Sequence, residues 1–502
     1  MRTPTIHRRT AGVALAVALL LGACGVESNG DTPAVVGQRR DTPTTANTDI
    51  VGSDIAPTSS TTPPTTAPPP PDVDVIGDDG SDANKVAANA IEDLQSFWAD
   101  EFPKVYDDPY EPVSGGFYAM DSGTDPTTLP CGVTDMEQAL HNAFYCRPDD
   151  AVAWDQEFLM PELADQYGDF TVAVVLAHEW GHAIQARAQI DEPTVILELQ
   201  ADCFAGAWVA HVNAGEDTRF SLTTEELDLA LAGILSLRDA PGSLADDPNA
   251  HGSGFDRVGA FQEGFEQSAS RCAEYTVGDP SPYQFPFSAQ DEVTGGDLPF
   301  DETTGSDGQP VEGIDTLAFE SLEAYWTEAF PTISDGTDWE PLADAVGFSP
   351  DDPPDCNGTP VEDYRLFLCV PDRYVGFDED ETMPQAYQFG DFAVGTLFGT
   401  QYGLAVQNEL GLEPDSEVQS TLWGDCYAGA WAGALLPEEL DQEEFPYVLG
   451  LSPGDLDEGV AVLLSFRTES DRERQGPGFL RVKAFRAGVI RGPEVCADIE
   501  AP

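Results

Sequence analysis

Apolar residues recur three and four positions apart over long stretches of this chain, which is the spacing of one face of an α-helix. The clearest runs are 170–188 and 195–213. Asp191 and Pro193 lie between them and indicate a turn that separates two consecutive helices. We therefore expect a helical hairpin in the first half of the chain.

A third run with helical spacing, 90–103, ends in a proline, and we expect the helix to end at Pro103 because proline cannot donate the next backbone hydrogen bond. Strand signals are weaker. Short apolar runs near 115–120 and 150–154 predict members of a small sheet. The pattern as a whole predicts an α+β fold in which helices dominate.

This pattern occurs twice, because blocks of the first half return in the second half in the same order, at offsets between 222 and 228 residues. The matching blocks are 90–103 with 318–331, 144–146 with 367–369, 168–170 with 390–392, 202–208 with 425–431, and 257–261 with 481–485. Chance does not keep five blocks in order at nearly one offset. We expect two homologous domains in tandem, 85–277 and 313–502, joined by a Pro-, Gly- and Asp-rich linker at 278–312.

The amino terminus has the pattern of a secretion signal. A basic start is followed by the apolar run 11–21 and by Leu-Gly-Ala before Cys24, which resembles a bacterial lipobox. We expect a lipoprotein signal peptide at 1–23, lipidation of Cys24, and an extracytoplasmic protein anchored to the cell membrane by that lipid. A plain signal peptide is the alternative. Residues 24–84 are rich in Thr and Pro and predict a disordered tether.

Charge narrows the choice of partners. The chain has 91 acidic and 22 basic residues and a net charge of −69, so its surface repels nucleic acid and anionic lipid headgroups. We expect no nucleic-acid partner. The charge does not identify a substrate, and the oligomeric state is not readable from the sequence.

The cysteines fit an oxidising compartment, since nine cysteines less Cys24 leave eight, four in each half. The repeated layout suggests the disulfides Cys131–Cys146 and Cys203–Cys272, and likewise Cys356–Cys369 and Cys426–Cys496. Four cysteines permit three pairings, so the connectivity stays open at this point. A zinc ion held by cysteines is the alternative, although no pair has the close spacing of such sites.

The first predicted helix of the hairpin carries the sequence His-Glu-Trp-Gly-His. His178 and His182 are four residues apart, which places both imidazoles on one helix face, where they can bind one Zn²⁺. Glu179 is turned about 100° from His178 and can face a water molecule instead of the metal. Gly181 removes bulk where a neighbouring backbone or a substrate comes close.

The second predicted helix supplies carboxylates. Glu198 follows His182 by sixteen residues and shares a helix face with Asp202. After the turn the second helix brings Glu198 level with the histidines, so we expect Glu198 to be the third zinc ligand and Asp202 to accept a hydrogen bond from the outer N–H of a ligand histidine. Asp202 as the ligand, or a solvated acidic turn with no metal, are the alternatives.

The second half keeps the frame of this site but not its metal-type residues. Thr400, Gln401, Leu404 and Thr421 take the positions of His178, Glu179, His182 and Glu198. Asp202 is kept as Asp425, which indicates a structural role for this aspartate. Since every histidine beyond the leader lies between 141 and 251, we expect one Zn²⁺ per chain, in the first domain, and none in the second.

The first half resembles the bacterial family named "Putative neutral zinc metallopeptidase". The resemblance rests on 142–146, 168–170, the His178 motif running to Gln185, 198–206, and 251–253 ahead of Arg257 and Val258, and it extends more faintly over 313–500. It implies a helix-dominated, zincin-like fold, with zinc bound by His178, His182 and Glu198, and Glu179 as a catalytic residue. The family often has a second histidine directly after the motif, where this chain has Ala183.

From these features we expect a zinc-dependent peptidase in which Glu179 is the general base for a water that attacks a peptide or protein substrate. His251, which aligns with Gln475, is the first choice for a residue that stabilises the oxyanion, although a capping or core role is equally compatible with its position; His141 and His211 are expected to be structural. The alternatives are a non-catalytic binding or scaffold lipoprotein with a structural zinc site, and a zinc amidase acting on a cell-wall link. We expect the second domain to fold without catalysing a reaction.

Overall fold

The computed structural model describes residues 71–502 except 216–217, 248–249, 288–295, 306–307, 362–363, 437–448 and 468. The predicted signal peptide, Cys24 and the tether as far as residue 70 lie outside the described residues. Helices dominate the described part and small sheets accompany them, so the α+β prediction is confirmed.

The first half contains the helices α1 (Asp82–Tyr106), α2 (Met136–Ala139), α3 (Leu159–Tyr167), α4 (Asp169–Ala188), α5 (Thr194–Ala214), α6 (Thr224–Ser236) and α7 (Gly254–Cys272). Its strands are β1 (Val75–Ile76), β2 (Phe117–Met120), β3 (Ala143–Cys146) and β4 (Ala151–Asp155). Helices α4 and α5 form the predicted hairpin, and both are buried on most sides, because their sequences are apolar around nearly the whole circumference.

After the hairpin β5 (Thr303–Thr304) and β6 (Pro310–Val311), the second half contains α8 (Ile314–Ile333), α9 (Thr382–Ala386), α10 (Asp391–Leu410), α11 (Glu417–Ala434), α12 (Asp455–Ser465), α13 (Glu469–Gln475) and α14 (Gly478–Arg491). Its strands are β7 (Asp344–Phe348), β8 (Asp355–Cys356), β9 (Thr359–Pro360), β10 (Leu366–Cys369) and β11 (Tyr374–Asp378).

The main sheets of the two halves have the same pairing senses. In the first half, β4 is parallel to β2 and antiparallel to β3, with Phe117 and Phe144 opposite Val152 and Ala153. In the second half, β11 is parallel to β7 and antiparallel to β10. Strand β1 adds a parallel edge to the first sheet only. The order of elements is consistent with the predicted duplication, and common ancestry of the halves stays a prediction.

Close helix packing fixes the hairpin. A Cβ added to Gly181 on α4 would lie 2.6 Å from Cα of Ala201 on α5, so only glycine allows this approach. The backbone that comes close to Gly181 is therefore that of the neighbouring helix, α5.

Within the described residues, one helix, α5, is long and apolar enough to cross a membrane, but 78% of that window is buried inside the protein, as in the core helix of a globular fold.

The two halves share one hydrophobic core and exchange polar contacts in matching pairs. Arg467 forms an ion pair with Asp228, and Arg238 forms one with Asp457 at 3.1 Å. Asp228 also accepts hydrogen bonds from the first backbone N–H groups of α14, and Asp457 accepts one from the N–H of Phe255 at the start of α7. Each half thus caps a helix of the other, as expected for packing about a local twofold axis.

The described residues contain four disulfides, Cys131–Cys146, Cys203–Cys272, Cys356–Cys369 and Cys426–Cys496, which are the pairs that the repeated layout suggests. The second and fourth join α5 to the end of α7, and α11 to the segment after α14, at sequence separations of 69 and 70. Because all eight of these sulfurs are in disulfide bonds, none of them is available to bind a zinc ion.

Three boundaries differ from the predictions. Helix α1 passes through Pro103 and ends at Tyr106, because Phe102 and Tyr106 stay packed on the core and hold the last turn. The tether does not extend to residue 84, since β1 and the start of α1 belong to the fold. Part of the predicted linker 278–312 forms the hairpin β5–β6, and Leu298 and Phe300 pack against the core.

Candidate metal centre

Helices α4 and α5 bring three predicted metal ligands together. Nε2 of His178 lies 3.2 Å from Oε2 of Glu198, and Nε2 of His182 lies 3.4 Å from Oε1 of the same carboxylate. The imidazole rings stand perpendicular, with their centroids 5.0 Å apart. The turn at 189–193 thus returns α5 to the level of the histidines, as the lengths of the two helices require.

These three side chains fit a zinc ion. The ligand atoms of His178, His182 and Glu198 all lie within 4.8 Å of one another. Oε2 of Glu198 is buried and, apart from the facing Nε2 of His178, has no polar partner among the described residues. Two imidazole nitrogens and one carboxylate oxygen form the ligand set of catalytic zinc sites that keep a fourth position open.

The outer nitrogen of each histidine contacts an oxygen, which sets the tautomer. Nδ1 of His178 lies 2.7 Å from Oδ1 of Asp202, and Nδ1 of His182 lies 2.9 Å from Oε1 of Gln185. Gln185 in turn donates from Nε2 to the carbonyl of Leu197 at 2.6 Å. With one proton held on Nδ1, each Nε2 faces Glu198, and its lone pair can bind a metal once a proton on Nε2 is released.

Asp202 is placed behind His178, away from the pair of Nε2 atoms. It is fully buried and accepts two hydrogen bonds from Arg257, at 2.7 and 2.9 Å. Both of its oxygens are therefore occupied by α7 and by the outer face of His178. This arrangement favours Glu198 over Asp202 as the third ligand, and the buried carboxylates do not form a solvated acidic turn.

The local charges favour a cation at this point. Burial opposes a positive charge on His178, but Asp202 and Glu198 outweigh burial and raise its pKa to about 10. Burial would raise the pKa of Glu198, but the two histidines outweigh it and hold that pKa well below its usual range. A carboxylate that stays ionised beside two imidazoles is an attractive site for a divalent metal.

Glu179 lies next to the three ligand residues in the cavity wall, and its carboxylate has a hydrogen-bond partner of its own. Its Oε2 accepts a hydrogen bond from the backbone N–H of Tyr145 on β3 at 2.9 Å. Burial raises the pKa of Glu179, and the charges of His178 and His182 oppose that rise. The edge strand of the first sheet therefore orients the predicted general base, a contact that the sequence did not reveal.

A cavity of about 470 Å³ opens over this cluster. Its wall includes the three ligand residues, Glu179, His141, Asn142, Phe144, Tyr145 and His251. The side chain of His251 is 56% exposed, and its Nδ1 lies 3.1 Å from Asp239, which raises the pKa of His251.

His251 therefore shares the cavity with the cluster, and its proposed oxyanion role stays a prediction. His141 stacks on Phe158 at the cavity wall and His211 packs on Phe97, away from the three ligand atoms.

The corresponding place in the second half holds a smaller cavity of about 160 Å³ lined by Thr400, Gln401, Leu404 and Thr421. Thr400 donates from its hydroxyl to the carbonyl of Leu397 at 2.7 Å, as a threonine inside a helix commonly does. Asp425 is fully buried and bound by Arg481 through two hydrogen bonds of 2.8 Å. The aspartate and its arginine thus persist where the four metal-type residues do not.

The pair of Asp202 with Arg257 is the functional contact that the sequence reasoning missed. A signal for it was present, because both partners return as Asp425 and Arg481 while their neighbours change. Two residues that are retained together when the metal-type residues are replaced indicate direct contact.

Residues 76–275 match the family described as "Putative neutral zinc metallopeptidase". The family resemblance drawn from the sequence motifs is therefore confirmed for this region. The family's description names a zinc metallopeptidase, which makes hydrolase chemistry and a zinc cofactor the coarse expectation for the first half.

Three similar bacterial proteins are described as uncharacterized. The protein YpfJ of Escherichia coli K12, described as uncharacterized, is 27% identical over 209 residues, which is 37% of this chain and 68% of YpfJ. The uncharacterized proteins Rv2575 of Mycobacterium tuberculosis H37Rv and Mb2605 of Mycobacterium bovis are 29% identical over 161 residues, 27% of this chain and 55% of each relative. No solved structure matches the chain significantly.

Proposed function

We propose that this chain is an extracytoplasmic, membrane-anchored zinc metallopeptidase that hydrolyses peptide bonds in the cavity of its first half. The observation that carries the proposal is the convergence of His178, His182 and Glu198 on one point, with Glu179 beside them and a cavity of about 470 Å³ above. The cavity has room for a segment of a peptide substrate and for a water molecule.

A zinc ion held by His178, His182 and Glu198 would supply a Lewis acid that activates water and polarises a carbonyl. Glu179 is the general base, since the N–H of Tyr145 holds its Oε2 and leaves Oε1 to accept a proton from the attacking water. The same carboxyl then delivers the proton to the leaving nitrogen. His251 donates from Nε2 to the developing oxyanion, while Asp239 holds its Nδ1.

A peptide substrate suits the shape of this site. Strand β3 is the edge strand of its sheet, and Asn142, Phe144 and Tyr145 on or beside it line the cavity. An extended peptide can lie along such an edge and pair with its backbone groups. This placement would carry a scissile carbonyl past the metal ligands and Glu179.

The leader supports this location of the enzyme. A lipid on Cys24 would anchor the chain to the membrane, with the Thr- and Pro-rich segment after it as a spacer. The strong negative charge supports a soluble domain that stays away from nucleic acid and from anionic headgroups.

Two alternatives differ in their chemistry. A structural zinc site in a binding or scaffold lipoprotein would normally have four protein ligands, whereas three converge in the described residues, next to a carboxylate oriented for a different task. A zinc amidase acting on a cell-wall link would use the same residues on another amide. Substrate profiling with peptide and glycopeptide amides separates the amidase from the peptidase.

The test compares zinc-loaded wild-type chain with Glu179→Gln on a quenched fluorescent peptide library. We expect kcat/KM to fall about 10²- to 10⁴-fold, because the general base is removed while the zinc ligands remain. The matched control is Gln401→Glu in the second half, which should leave activity unchanged. Equal cleavage by wild type and Glu179→Gln, at equal zinc content, would refute the proposed mechanism.

A further inference from the structure

Four carboxylates gather at the start of α10 in the second half, outside the His178 cluster. One oxygen from each of Asp297, Asp391 and Glu458 lies within 4.8 Å of the other two. Asp455 interacts electrostatically with Asp391 and Asp297. Asp391 and Asp455 are each 4% exposed and Glu458 is 9% exposed, whereas Asp297 is open to solvent. The linker, α10 and α12 thus each contribute negative charge to one place.

These acidic groups are bound by uncharged donors, and both oxygens of Asp455 accept hydrogen bonds from Ser452, at 2.8 and 2.6 Å. Oδ2 of Asp391 accepts a hydrogen bond from the N–H of Leu298 at 2.9 Å, but Oδ1 of Asp391 is buried and has no partner. Oε2 of Glu458 accepts from the N–H of Phe392 at 2.9 Å. Across the described residues, no Lys or Arg forms an ion pair with any of the four carboxylates. Buried like charges at this separation require a compensating cation or shared protons.

The geometry suits a hard divalent cation. Calcium binds six to eight oxygen ligands at about 2.3–2.6 Å, so two ligands on opposite sides of the ion lie up to about 5 Å apart. The cluster offers oxygen donors, which calcium prefers, and neither nitrogen nor sulfur. A cavity of about 460 Å³ that is lined by Asp297 and Glu458 leaves space for water molecules to complete the coordination.

Among the described residues of the first half, no such acidic cluster is present. A Cβ added to Gly390 would lie 1.9 Å from the carboxyl carbon of Glu458, so only glycine admits that carboxylate to the start of α10. At the corresponding place, Gly168 faces Leu229, with Cδ1 3.9 Å from the added Cβ, and Asp169 is exposed. The acidic cluster is therefore built into the second half and not inherited by both halves.

We infer that Asp297, Asp391 and Glu458 bind one calcium ion, with Asp455 adding negative charge, and that this ion fastens the linker to the second half. Leu298 of the linker already forms two hydrogen bonds with the second half. Its N–H donates to Asp391, and its carbonyl accepts from the hydroxyl of Tyr387 at 2.7 Å. Bound calcium would offset the electrostatic repulsion between Asp297 of the linker and the carboxylates of Asp391 on α10 and Glu458 on α12. This inference does not depend on the peptidase proposal.

The test uses the full-length chain, treated with a chelating resin and then given one equivalent of zinc. Calcium chloride is titrated by calorimetry in 0.15 M KCl, and thermal unfolding is recorded with and without calcium. We expect one saturable site per chain with Kd between about 10⁻⁵ and 10⁻³ M, and a Tm that rises with calcium. Asp391→Asn should weaken calcium binding at least about tenfold, whereas Asp169→Asn, its counterpart in the first half, should not change it.

A second variant guards against misfolding. Glu458→Gln keeps the size of the side chain, and it should also remove the saturable site while its circular dichroism matches wild type. Binding that is weak, unsaturable and equal in all variants would overturn the inference, because the net charge of −69 alone would explain it. A saturable site that survives both Asp391→Asn and Glu458→Gln would overturn it as well.

Discussion

The two halves place different chemistry at the same point of a similar scaffold. In the first half, His178 and His182 meet Glu198 at the wall of a cavity, while Thr400 and its neighbours line a smaller cavity at the corresponding place in the second half. Yet a buried aspartate is held by an arginine through two hydrogen bonds in both halves. The comparison separates what the fold requires, the Asp–Arg pair, from what the metal centre adds.

The pKa values of the two corresponding aspartates, Asp202 and Asp425, also differ between the halves. Burial raises the pKa of Asp425 even though Arg481 opposes it. Burial acts on Asp202 too, but there Arg257 and then His178 outweigh it, so the pKa of Asp202 is lowered. The histidine of the first half therefore strengthens the ionised form of a carboxylate whose structural partner is the arginine.

The largest expected difference between the halves is in zinc content. Glu198→Ala removes the carboxylate that faces both Nε2 atoms, so zinc per chain, measured by atomic emission after gel filtration, should fall from one to nearly none. Thr421→Ala is the matched substitution in the second half and should leave one zinc bound. Undiminished zinc affinity in Glu198→Ala would contradict the proposed ligand set.

Substitution of the shared aspartate should separate stability from metal affinity. Asp202→Asn and Asp425→Asn each leave a buried arginine without its counter-charge, which should lower the free energy of unfolding by about 3–5 kcal/mol in urea titrations. Zinc affinity, measured against a chromophoric chelator, should fall about 10- to 100-fold in Asp202→Asn alone. A matching loss of zinc affinity in Asp425→Asn would break the distinction drawn between the halves.

The two ion pairs between the halves are expected to contribute unequally to the free energy of unfolding. Asp228→Asn leaves Arg467, whose side chain is 2% exposed, without a counter-charge and should cost about 3 kcal/mol of unfolding free energy. Asp457→Asn should cost about 1.5 kcal/mol, because the side chain of Arg238 is 33% exposed and can be solvated. Urea titrations of both variants and their double variant measure this difference, and equal costs would show that burial of the arginine is not decisive.

The smallest difference between the halves should come from the glycines where α4 packs on α5 and where α10 packs on α11. A Cβ on Gly181 or Gly403 would lie 2.6 Å from the Cα of Ala201 or Gly424, so Gly181→Ala and Gly403→Ala should each destabilise the protein by about 1–3 kcal/mol. Only Gly181→Ala should also weaken zinc binding, since moving α4 from α5 separates the histidines from Glu198. Zinc binding that is unchanged in both variants would indicate that α4 can shift without disturbing the site.

The sequence was most informative where spacing along one helix decides the arrangement. The four-residue interval between His178 and His182 and the predicted helices near 170–188 and 195–213 required no knowledge of distant contacts, because 3.6 residues per turn fix which side chains share a face. The prediction that the first helix ends at Pro103 was wrong. Tertiary packing of Phe102 and Tyr106 outweighed the local cost of the proline, and the helix continued for another turn.

By itself the sequence determined the repeated pattern, the α+β class and the residue types of the candidate zinc site, since periodicity, spacing and chemical type are local properties. Only the tertiary structure placed Arg257 behind Asp202, the N–H of Tyr145 against Glu179, and the linker beside Asp391. Those contacts join residues between 34 and 93 positions apart. They depend on how helices and strands pack, and no local spacing rule encodes that packing.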